Sequence, residues 1–194
     1  MGNVFDPSHK ERLESPNRRA KLDVDKVLSQ LPLTEDQVVA DIGCGTGYFA
    51  IPLAARLTQG SVICTDVSED MLDTVRQKVA GVEIGNVELR KVAPDETGLE
   101  PDSIDGALMS TVLHEVDDRE SYLRQIARAL RLNGWFAVIE FVKRPTEIGP
   151  PVEQRLRPEE VIDIGRAAGL ASVGKPVELS DTFYMIMFRP LETV

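Results

Sequence analysis

Short apolar runs alternate along the chain with segments whose apolar residues recur every three or four positions. The runs are rich in β-branched residues and are bounded by Gly, Asp or Pro, which is typical of buried strands. They are VVADI (38–42), SVICT (61–65), VELRK (87–91), IDGALM (104–109) and WFAVIEF (135–141). Two further strands are predicted near 171–175 and 182–188.

Helices are predicted between these runs. One covers about residues 23–30, a second follows Ser68 as its N-cap, a third follows Asp117 and ends before Gly134, and a fourth opens at Pro158. Alternating strands and helices imply right-handed crossovers and a mainly parallel sheet covered on both faces. Ligands of such sheets bind at the carboxyl ends of the strands, near the point where the strand order reverses.

Composition narrows the class of protein. The 194 residues fit one domain, and 32 acidic against 22 basic residues give a net charge of −10. That balance argues against nucleic acid as the main partner. The N-terminus lacks the apolar core of a signal peptide, and no apolar stretch is long enough to span a bilayer. We therefore expect a single cytoplasmic domain over residues 1–194.

The clearest motif is VVADIGCGTGYFAIPLA (38–54), in which a buried strand runs into Asp41, three alternating glycines and a helix. Gly43, Gly45 and Gly47 permit a tight turn and the approach of a ligand to the backbone. The free N–H groups at the start of the helix favour an anion.

The residues around this loop indicate which ligand it takes. A phosphate-binding P-loop would continue with Lys and Ser or Thr, whereas Tyr48 and Phe49 follow Gly47. Tyr48 also occupies the position of the last glycine in the dinucleotide fingerprint. Asp66 ends the second strand nineteen residues after Gly47, where a carboxylate can accept two ribose hydroxyls. The pattern favours a nucleoside over a dinucleotide.

Four ordered segments with this spacing resemble the class I S-adenosylmethionine (SAM)-dependent methyltransferases, in particular the small single-domain relatives of quinone-pathway C-methyltransferases. The likeness covers about residues 36–141. Its segments are the glycine loop, ICTDVSEDML (63–72), LEPDSIDGALMSTVLHEVDD (99–118) and RQIARALRLNGWFAVIEF (124–141).

The resemblance implies an α/β fold: a doubly wound, mainly parallel, Rossmann-like sheet of seven strands, with the last strand antiparallel and helices on both faces. It also implies SAM as cofactor and S-adenosylhomocysteine (SAH) as product. By position, Asp41 would lie near the cofactor's ammonium, Gly43, Gly45 and Gly47 along its methionine portion, Asp66 on its ribose and Met71 on its adenine, with Val67 and Thr111 as further contacts.

One position departs from the family pattern. Members of the family often have an acid shortly after the third strand that meets the adenine amino group, and here the counted position is Ala93. Asp95 or Glu96 from the same loop can substitute, or the adenine can be held by backbone and packing alone.

His114 is the first catalytic candidate, because it follows the fourth strand on the rim that faces the transferred methyl in this fold. Its ordinary pKa suits a general base near neutral pH. The alternative interpretation is a structural loop histidine bonded to Glu115 or Asp117. Glu115 is a second candidate, and Glu140 lies on the same rim, where burial with a backbone partner would explain it equally well.

The two ends of the chain supply candidate walls for the acceptor. Residues 1–21 are irregular and carry five of the basic residues, and they form either a lid over the cofactor or a solvated tail. Residues 142–194 hold the last helix and strands, and the Pro-rich segment 149–156 is a second candidate wall.

Several activities are disfavoured. No Cys/His cluster has the spacing of a metal site, and Cys44 and Cys64 do not match an arsenite-binding set. No Asn-Pro-Pro-aromatic or Pro-Cys motif of nucleic-acid base methylation is present. We expect a small-molecule acceptor. A methyltransferase of RNA or protein and a non-enzymatic cofactor-binding scaffold remain alternatives, and a homodimer through 182–188 stays open.

Overall fold

The structure, a computed structural model, describes residues 13–82 and 84–191. Within them the chain forms one seven-stranded sheet. The strands are β1 (Val38–Ile42), β2 (Ser61–Asp66), β3 (Val87–Lys91), β4 (Ile104–Ser110), β5 (Leu130–Phe141), β6 (Leu170–Glu178) and β7 (Phe183–Pro190).

Six α-helices accompany the sheet in the described residues. They are α1 (Pro16–Lys21), α2 (Val24–Leu28), α3 (Ala50–Arg56), α4 (Glu69–Gly81), α5 (Arg119–Ala129) and α6 (Pro158–Ala167). None of these has both the length and the apolar character that crossing a membrane requires.

The strand order across the sheet is β3-β2-β1-β4-β5-β7-β6. The first five strands along the chain pair in parallel, and β7 runs antiparallel to both β5 and β6. The predicted mainly parallel, doubly wound fold is therefore confirmed. The chain first builds outward from β1 toward β3 and then returns to place β4 on the other side of β1, so the order reverses between β1 and β4.

The core consists of two apolar layers, one on each face of the sheet. Successive side chains of a strand point to opposite faces, so Val39 belongs to one layer while Ala40 and Ile42 belong to the other. The same alternation separates Leu108 from Met109 in β4. Burial on both faces explains why these strands read as continuous apolar runs.

The N-terminal segment contains a helix that the irregular sequence did not predict. Pro16 occupies the first turn of α1, where its missing N–H costs nothing, and the Ser15 hydroxyl caps the helix by accepting the Arg18 N–H at 3.3 Å. The proline therefore starts a helix instead of breaking one. Residues 1–12 of the predicted lid or tail lie outside the described residues.

The boundary between α5 and β5 also differs from the prediction. The helix ends at Ala129 and the strand already begins at Leu130, well before Gly134. Leu130 pairs with Ile104 across the sheet, and the Arg131 side chain lies 2.7 Å from the Asp105 carboxylate. Pairing to β4 thus overrides the local helical pattern.

The strand β7 accounts for the apolar segment near 182–188. It lies between β5 and β6, and Phe183, Tyr184 and Phe188 are buried. Burial within one chain is sufficient to explain the apolar character of this segment.

A close packing contact in β4 gives a test of the fold. A Cβ added to Gly106 would lie 2.2 Å from Cε2 of the buried Trp135 ring. We expect Gly106→Ala to lower the free energy of unfolding by about 1–3 kcal/mol, because a rigid indole must move. Gly81→Ala is the matched control: its Cβ would meet no atom within 4 Å at the end of α4, and we expect no loss, or a gain of up to about 1 kcal/mol. Urea denaturation of both variants measures the difference, and equal stability of Gly106→Ala and wild type would contradict the packing.

Candidate active site

A large cavity opens at the carboxyl ends of β1, β2 and β4, beside the point where the strand order reverses. Its volume is about 1110 Å³. Pockets for one small ligand commonly measure about 300–1,000 Å³, so this cavity has room for two small molecules. Most of the predicted cofactor residues and both catalytic candidates line it. We call it the central cavity.

The loop after β1 is fastened to the end of β2 by three backbone N–H groups. Those of Gly43 and Cys44 both donate to the Thr65 carbonyl, at 2.8 and 3.0 Å. The Gly45 N–H donates to Oδ2 of Asp66 at 2.8 Å. These bonds fold the loop over the strand end and expose its glycine backbone to the cavity.

The three glycines of this loop have different structural roles. Gly43 and Gly45 line the cavity with φ of 66° and 52°, and a Cβ on Gly43 would lie 2.4 Å from Cγ2 of Val112. Gly47 has φ 82°, but it is not part of the cavity wall. A Cβ there would meet Val75 of α4 at 3.2 Å, so this glycine permits packing of the loop on the helix.

Asp41 presents a buried carboxyl group at the end of β1. Its Oδ2 has no hydrogen-bond partner among the described residues. Burial raises the pKa of Asp41 to about 7, and the negative charge of Asp66 adds to the rise, while a bond from the Ala50 N–H opposes it. A buried unpartnered acceptor is costly, and Asp41 lines the cavity, so this carboxyl group suits the cation of a ligand. The cofactor's ammonium fits this position.

Asp66 is positioned by backbone donors on both sides. The Ser68 N–H donates to Oδ1 at 2.8 Å, and the Gly45 N–H binds Oδ2. Burial raises the pKa of Asp66 and these backbone bonds oppose the rise. Each carboxylate oxygen keeps a further lone pair, so the group can still accept two hydroxyls from a ribose. Val67 and the buried Met71 line the cavity beside it.

The structure does not bring the proposed adenine acid into the cavity. The Glu96 N–H donates to the Ala93 carbonyl at 3.0 Å, and this turn leaves both Asp95 and Glu96 exposed. The Asp95 backbone carbonyl accepts a hydrogen bond from the side-chain amide of Gln125 at 2.8 Å. Asp95 and Glu96 therefore do not line the cavity, and the wall at this point is apolar. It is formed by Met71, Val92 and Pro94.

His114 and Glu140 form a buried pair on the opposite side of the cavity. Nδ1 of His114 lies 2.8 Å from Oε2 and 3.1 Å from Oε1 of Glu140, which is fully buried. Glu140 also accepts the backbone N–H groups of His114 and Phe141. Nε2 of His114 lies 3.8 Å from Oε1 of Glu115, which also lines the cavity. The carboxylate of Glu140 thus binds Nδ1 of the ring and does not engage Nε2.

Burial and charge act in opposite directions on His114. Burial favours the neutral ring and would lower the pKa of His114, but the negative charge of Glu140 and its hydrogen bond outweigh this effect. Glu115 acts in the same direction as Glu140 and Arg119 against it, and the pKa of His114 is raised above its usual value.

Thr111 lies between the end of β4 and His114 in a strained conformation. Its φ is 60°, which is an outlier for a β-branched residue, and its N–H donates to the Ile139 carbonyl at 2.7 Å. Strain of this kind tends to occur at functional sites. The Thr111 hydroxyl lines the cavity and accepts a bond from Nη2 of Arg18 at 3.3 Å.

Arg18 is a cavity residue that the sequence did not single out. The residue is only 8% exposed, and its guanidinium lies 5.9 Å from the Tyr48 ring centroid and 5.7 Å from that of Phe183. The sequence signal was limited to a run of basic residues in a polar segment. Nothing in that pattern separates a buried arginine from its exposed neighbour Arg19.

The segment that carries Arg18 is fastened over the glycine loop. Glu14 accepts a bond from the Thr46 hydroxyl at 2.6 Å and pairs with Lys78, whose Nζ also donates to the Thr46 carbonyl at 2.9 Å. The Tyr48 hydroxyl donates to the Leu22 carbonyl at 2.6 Å. Residues 13–22 therefore close one side of the central cavity.

A second wall is the Pro-rich loop between β5 and α6, in which Gly149, Pro150, Pro151 and Gln154 line the cavity. Arg155 organises this loop from inside. Its side chain donates to a hydroxyl and several carbonyls and stacks 5.4 Å from the Phe141 ring. The acceptors are the carbonyls of Val142, Arg144, Ile148 and Pro150 and the hydroxyl of Thr146.

The chain is similar to solved methyltransferase structures. A SAM-dependent methyltransferase from Aquifex aeolicus superimposes with a TM-score of 0.89 and 29% identity, covering 95% of this chain and 98% of that one. The CcbJ methyltransferase from Streptomyces caelestis has the same fold at 18% identity, with a TM-score of 0.72 and 92% of each chain covered.

Two curated relatives are similar over shorter stretches. A trans-aconitate 2-methyltransferase from Azoarcus sp. (strain BH72) is 26% identical over 161 residues, 83% of this chain and 59% of that protein. A demethylmenaquinone methyltransferase from Bacillus cereus (strain B4264) is 32% identical over 110 residues, 56% of this chain and 46% of that protein. The matches thus span about half of these relatives' own lengths.

The family model for a methyltransferase domain matches residues 40–136, about half of the chain. This stretch runs from the end of β1 into β5 and includes the glycine loop, Asp66 and His114. The predicted family is therefore confirmed: the chain belongs to the methyltransferase domain family, with the fold and cofactor class of the class I SAM-dependent methyltransferases.

Proposed function

We propose that this protein transfers a methyl group from SAM to a small-molecule acceptor in the central cavity. One observation carries the proposal. A single cavity contains a cofactor half, with Asp41 and Asp66, and a second half lined by His114, which is bonded to the buried Glu140. Its volume exceeds what one ligand needs, and residues 13–22, which include the described part of the segment expected as a lid or a tail, cover one side of it.

The residues present fit the cofactor in chemistry as well as in position. Asp41 would hold the ammonium, Asp66 the ribose, and Val67 and Met71 the adenine, while the glycine backbone would run beside the methionine portion. When bound, SAM supplies a methyl group on a sulfonium, which is already activated for displacement. The task left to the protein is to hold the acceptor in line and to exclude water.

The His114–Glu140 pair gives the second half of the cavity a base. Glu140 accepts from Nδ1–H and so fixes the tautomer whose Nε2 carries the lone pair. Nε2 can then take the proton that an acceptor hydroxyl, amine or acidic carbon loses as it is methylated. Glu115, 3.8 Å from Nε2, would stabilise the resulting imidazolium.

The relatives support a small acceptor. Their names specify trans-aconitate for the Azoarcus protein and demethylmenaquinone for the Bacillus cereus protein. The acceptor half of this cavity is enclosed by α1 on one side and by the Arg155 loop on the other, which suits a small molecule better than a nucleic acid. The net charge of −10 favours the same choice.

The two cofactor carboxylates can be tested separately with two ligands. We expect Asp41→Asn to weaken SAH binding about tenfold or more, because a charged pair is lost. The same variant should leave 5′-methylthioadenosine, which lacks the amino-acid part, unaffected. Asp66→Asn should weaken both ligands. Isothermal titration calorimetry measures all four affinities.

The control for these variants is Asp163→Asn, which removes an exposed carboxylate from α6. It should bind both ligands like wild type. Equal losses of 5′-methylthioadenosine in Asp41→Asn and Asp66→Asn would contradict the assigned roles.

The base can be tested by NMR without knowing the acceptor. The chain has two histidines, so His114 is readily assigned in ¹⁵N spectra by its loss in His114→Gln. We expect a neutral form protonated at Nδ1 and a pKa above that of a free histidine. Glu140→Gln should lower this pKa, because the ring loses its negative partner and keeps the burial.

The raised pKa of His114 predicts how turnover depends on pH. A base works only when deprotonated, so turnover of an acceptor that loses a proton should rise with pH through the raised pKa of His114. His114→Gln should lower kcat by about 10²–10⁴-fold and leave SAH affinity unchanged. Full turnover in this variant would exclude the base role.

A further inference from the structure

Arg18 places a positive charge inside the acceptor half of the cavity. Removal from water lowers the pKa of Arg18 to about 10, with the negative charge of Glu140 opposing the decrease. The side chain therefore remains a cation at neutral pH. A buried cation is expensive unless a hydrogen-bonded anion accompanies it.

The described residues supply no such anion. The side chain of Arg18 makes one hydrogen bond there, to the neutral hydroxyl of Thr111 at 3.3 Å, and its buried Nε has no partner. Glu140 is the nearest candidate by charge, but its oxygens already accept from Nδ1 of His114 and from two backbone N–H groups. A guanidinium has five N–H donors, so most of this fork has no partner within residues 13–82 and 84–191.

The surroundings of Arg18 favour one class of ligand. Aromatic rings of Tyr48 and Phe183 lie near the guanidinium, which suits a planar cation. A guanidinium edge matches the two oxygens of a carboxylate in a bidentate pair. A doubly charged phosphate fits poorly, because the same cavity contains acids such as Asp41, Asp66 and Glu115.

Much of the acceptor half is apolar, although Glu147 and Gln154 of the Pro-rich loop also line it, so the body of the ligand should be largely apolar. The apolar residues that line this part are Val112, Phe141, Ile148, Pro150 and Pro151. His114 belongs to the same half and contacts the Phe141 ring edge-on, with 5.8 Å between the ring centroids.

We propose that Arg18 anchors a carboxylate of the methyl acceptor, so that the preferred acceptors are small carboxylic acids with an apolar body. This inference rests on the proposed function and adds the substrate class and a specificity-determining residue. The carboxylate is held by Arg18 and Thr111, and the atom to be methylated faces His114. The amino-acid carboxylate of the cofactor has the same chemistry, so the experiment must separate the two sources.

The test uses benzoate, cinnamate and 4-phenylbutyrate, each paired with its neutral carboxamide. Their affinities are measured by calorimetry or ligand-detected NMR on wild-type protein saturated with SAH. We expect at least one acid to bind ten times more tightly than its amide. Arg18→Gln should reduce that preference to less than twofold, and Arg18→Lys should retain part of it.

Arg19→Gln is the matched control. It removes the same charge from the same short helix, and Arg19 contacts the same Tyr48 ring from an exposed position. This variant should keep the preference for the acid. An equal loss in both variants would overturn the proposal, because it would indicate loosening of the helix.

Two ligands of the cofactor site distinguish the remaining outcomes. If Arg18→Gln weakens SAH tenfold but leaves 5′-methylthioadenosine unchanged, Arg18 holds the cofactor's carboxylate and the proposal is wrong. If wild type binds SAH but prefers none of the acids, the proposal also fails while the proposed function stands. Failure of wild type to bind SAH would instead overturn the function itself. The wild-type measurements decide the matter even if Arg18→Gln does not fold.

Discussion

The hydrogen bonds between the glycine loop and the end of β2 set the geometry on which the rest of the site depends. The Thr65 carbonyl takes two N–H groups of the loop, and the Asp66 carboxylate takes a third on one oxygen and the start of α4 on the other. One strand end thereby fixes the loop, the helix and the carboxylate together. Asp41 is left beneath the loop with a buried oxygen that no described residue satisfies.

Each of the two walls of the central cavity contains a buried arginine: Arg18 lies in the N-terminal wall and Arg155 in the Pro-rich loop. The two guanidinium groups differ in their hydrogen bonding. The Arg155 guanidinium donates hydrogen bonds to carbonyl groups of its own loop, so it stabilises the conformation of that loop. Arg18 makes one hydrogen bond in the described residues and keeps an unpartnered Nε, so its charge remains available to a ligand. The His114–Glu140 pair combines both uses. Glu140 fixes one ring nitrogen of His114, and the His114 side chain still lines the cavity. Arg18 thus differs from Arg155 in keeping a polar atom without a partner among the described residues.

Sequence patterns predicted the sheet well, because buried parallel strands and glycine turns impose local constraints on residue type, and most of the residues proposed for the cofactor line one cavity. They were less informative where tertiary contacts decide the structure. The strand β5 begins at Leu130 because of pairing to β4, and Asp95 lies on an exposed turn that does not line the cavity. They also missed Arg18, whose burial depends on how α1 lies across β7 and the glycine loop. Glu140 was on the predicted rim, but its contact with His114 joins residues 26 positions apart in sequence.

The carboxyl group of Asp41, whose Oδ2 has no partner among the described residues, offers the most direct measurement. SAH is titrated calorimetrically at pH 6 and pH 8, each in two buffers of different ionisation enthalpy. Because the pKa of Asp41 is raised to about 7, pairing with the ammonium should release nearly one proton at pH 6 and almost none at pH 8. Affinity should be about tenfold higher at pH 8, and Asp41→Asn should abolish both effects. Binding that is independent of pH and releases no proton would contradict the account of this site.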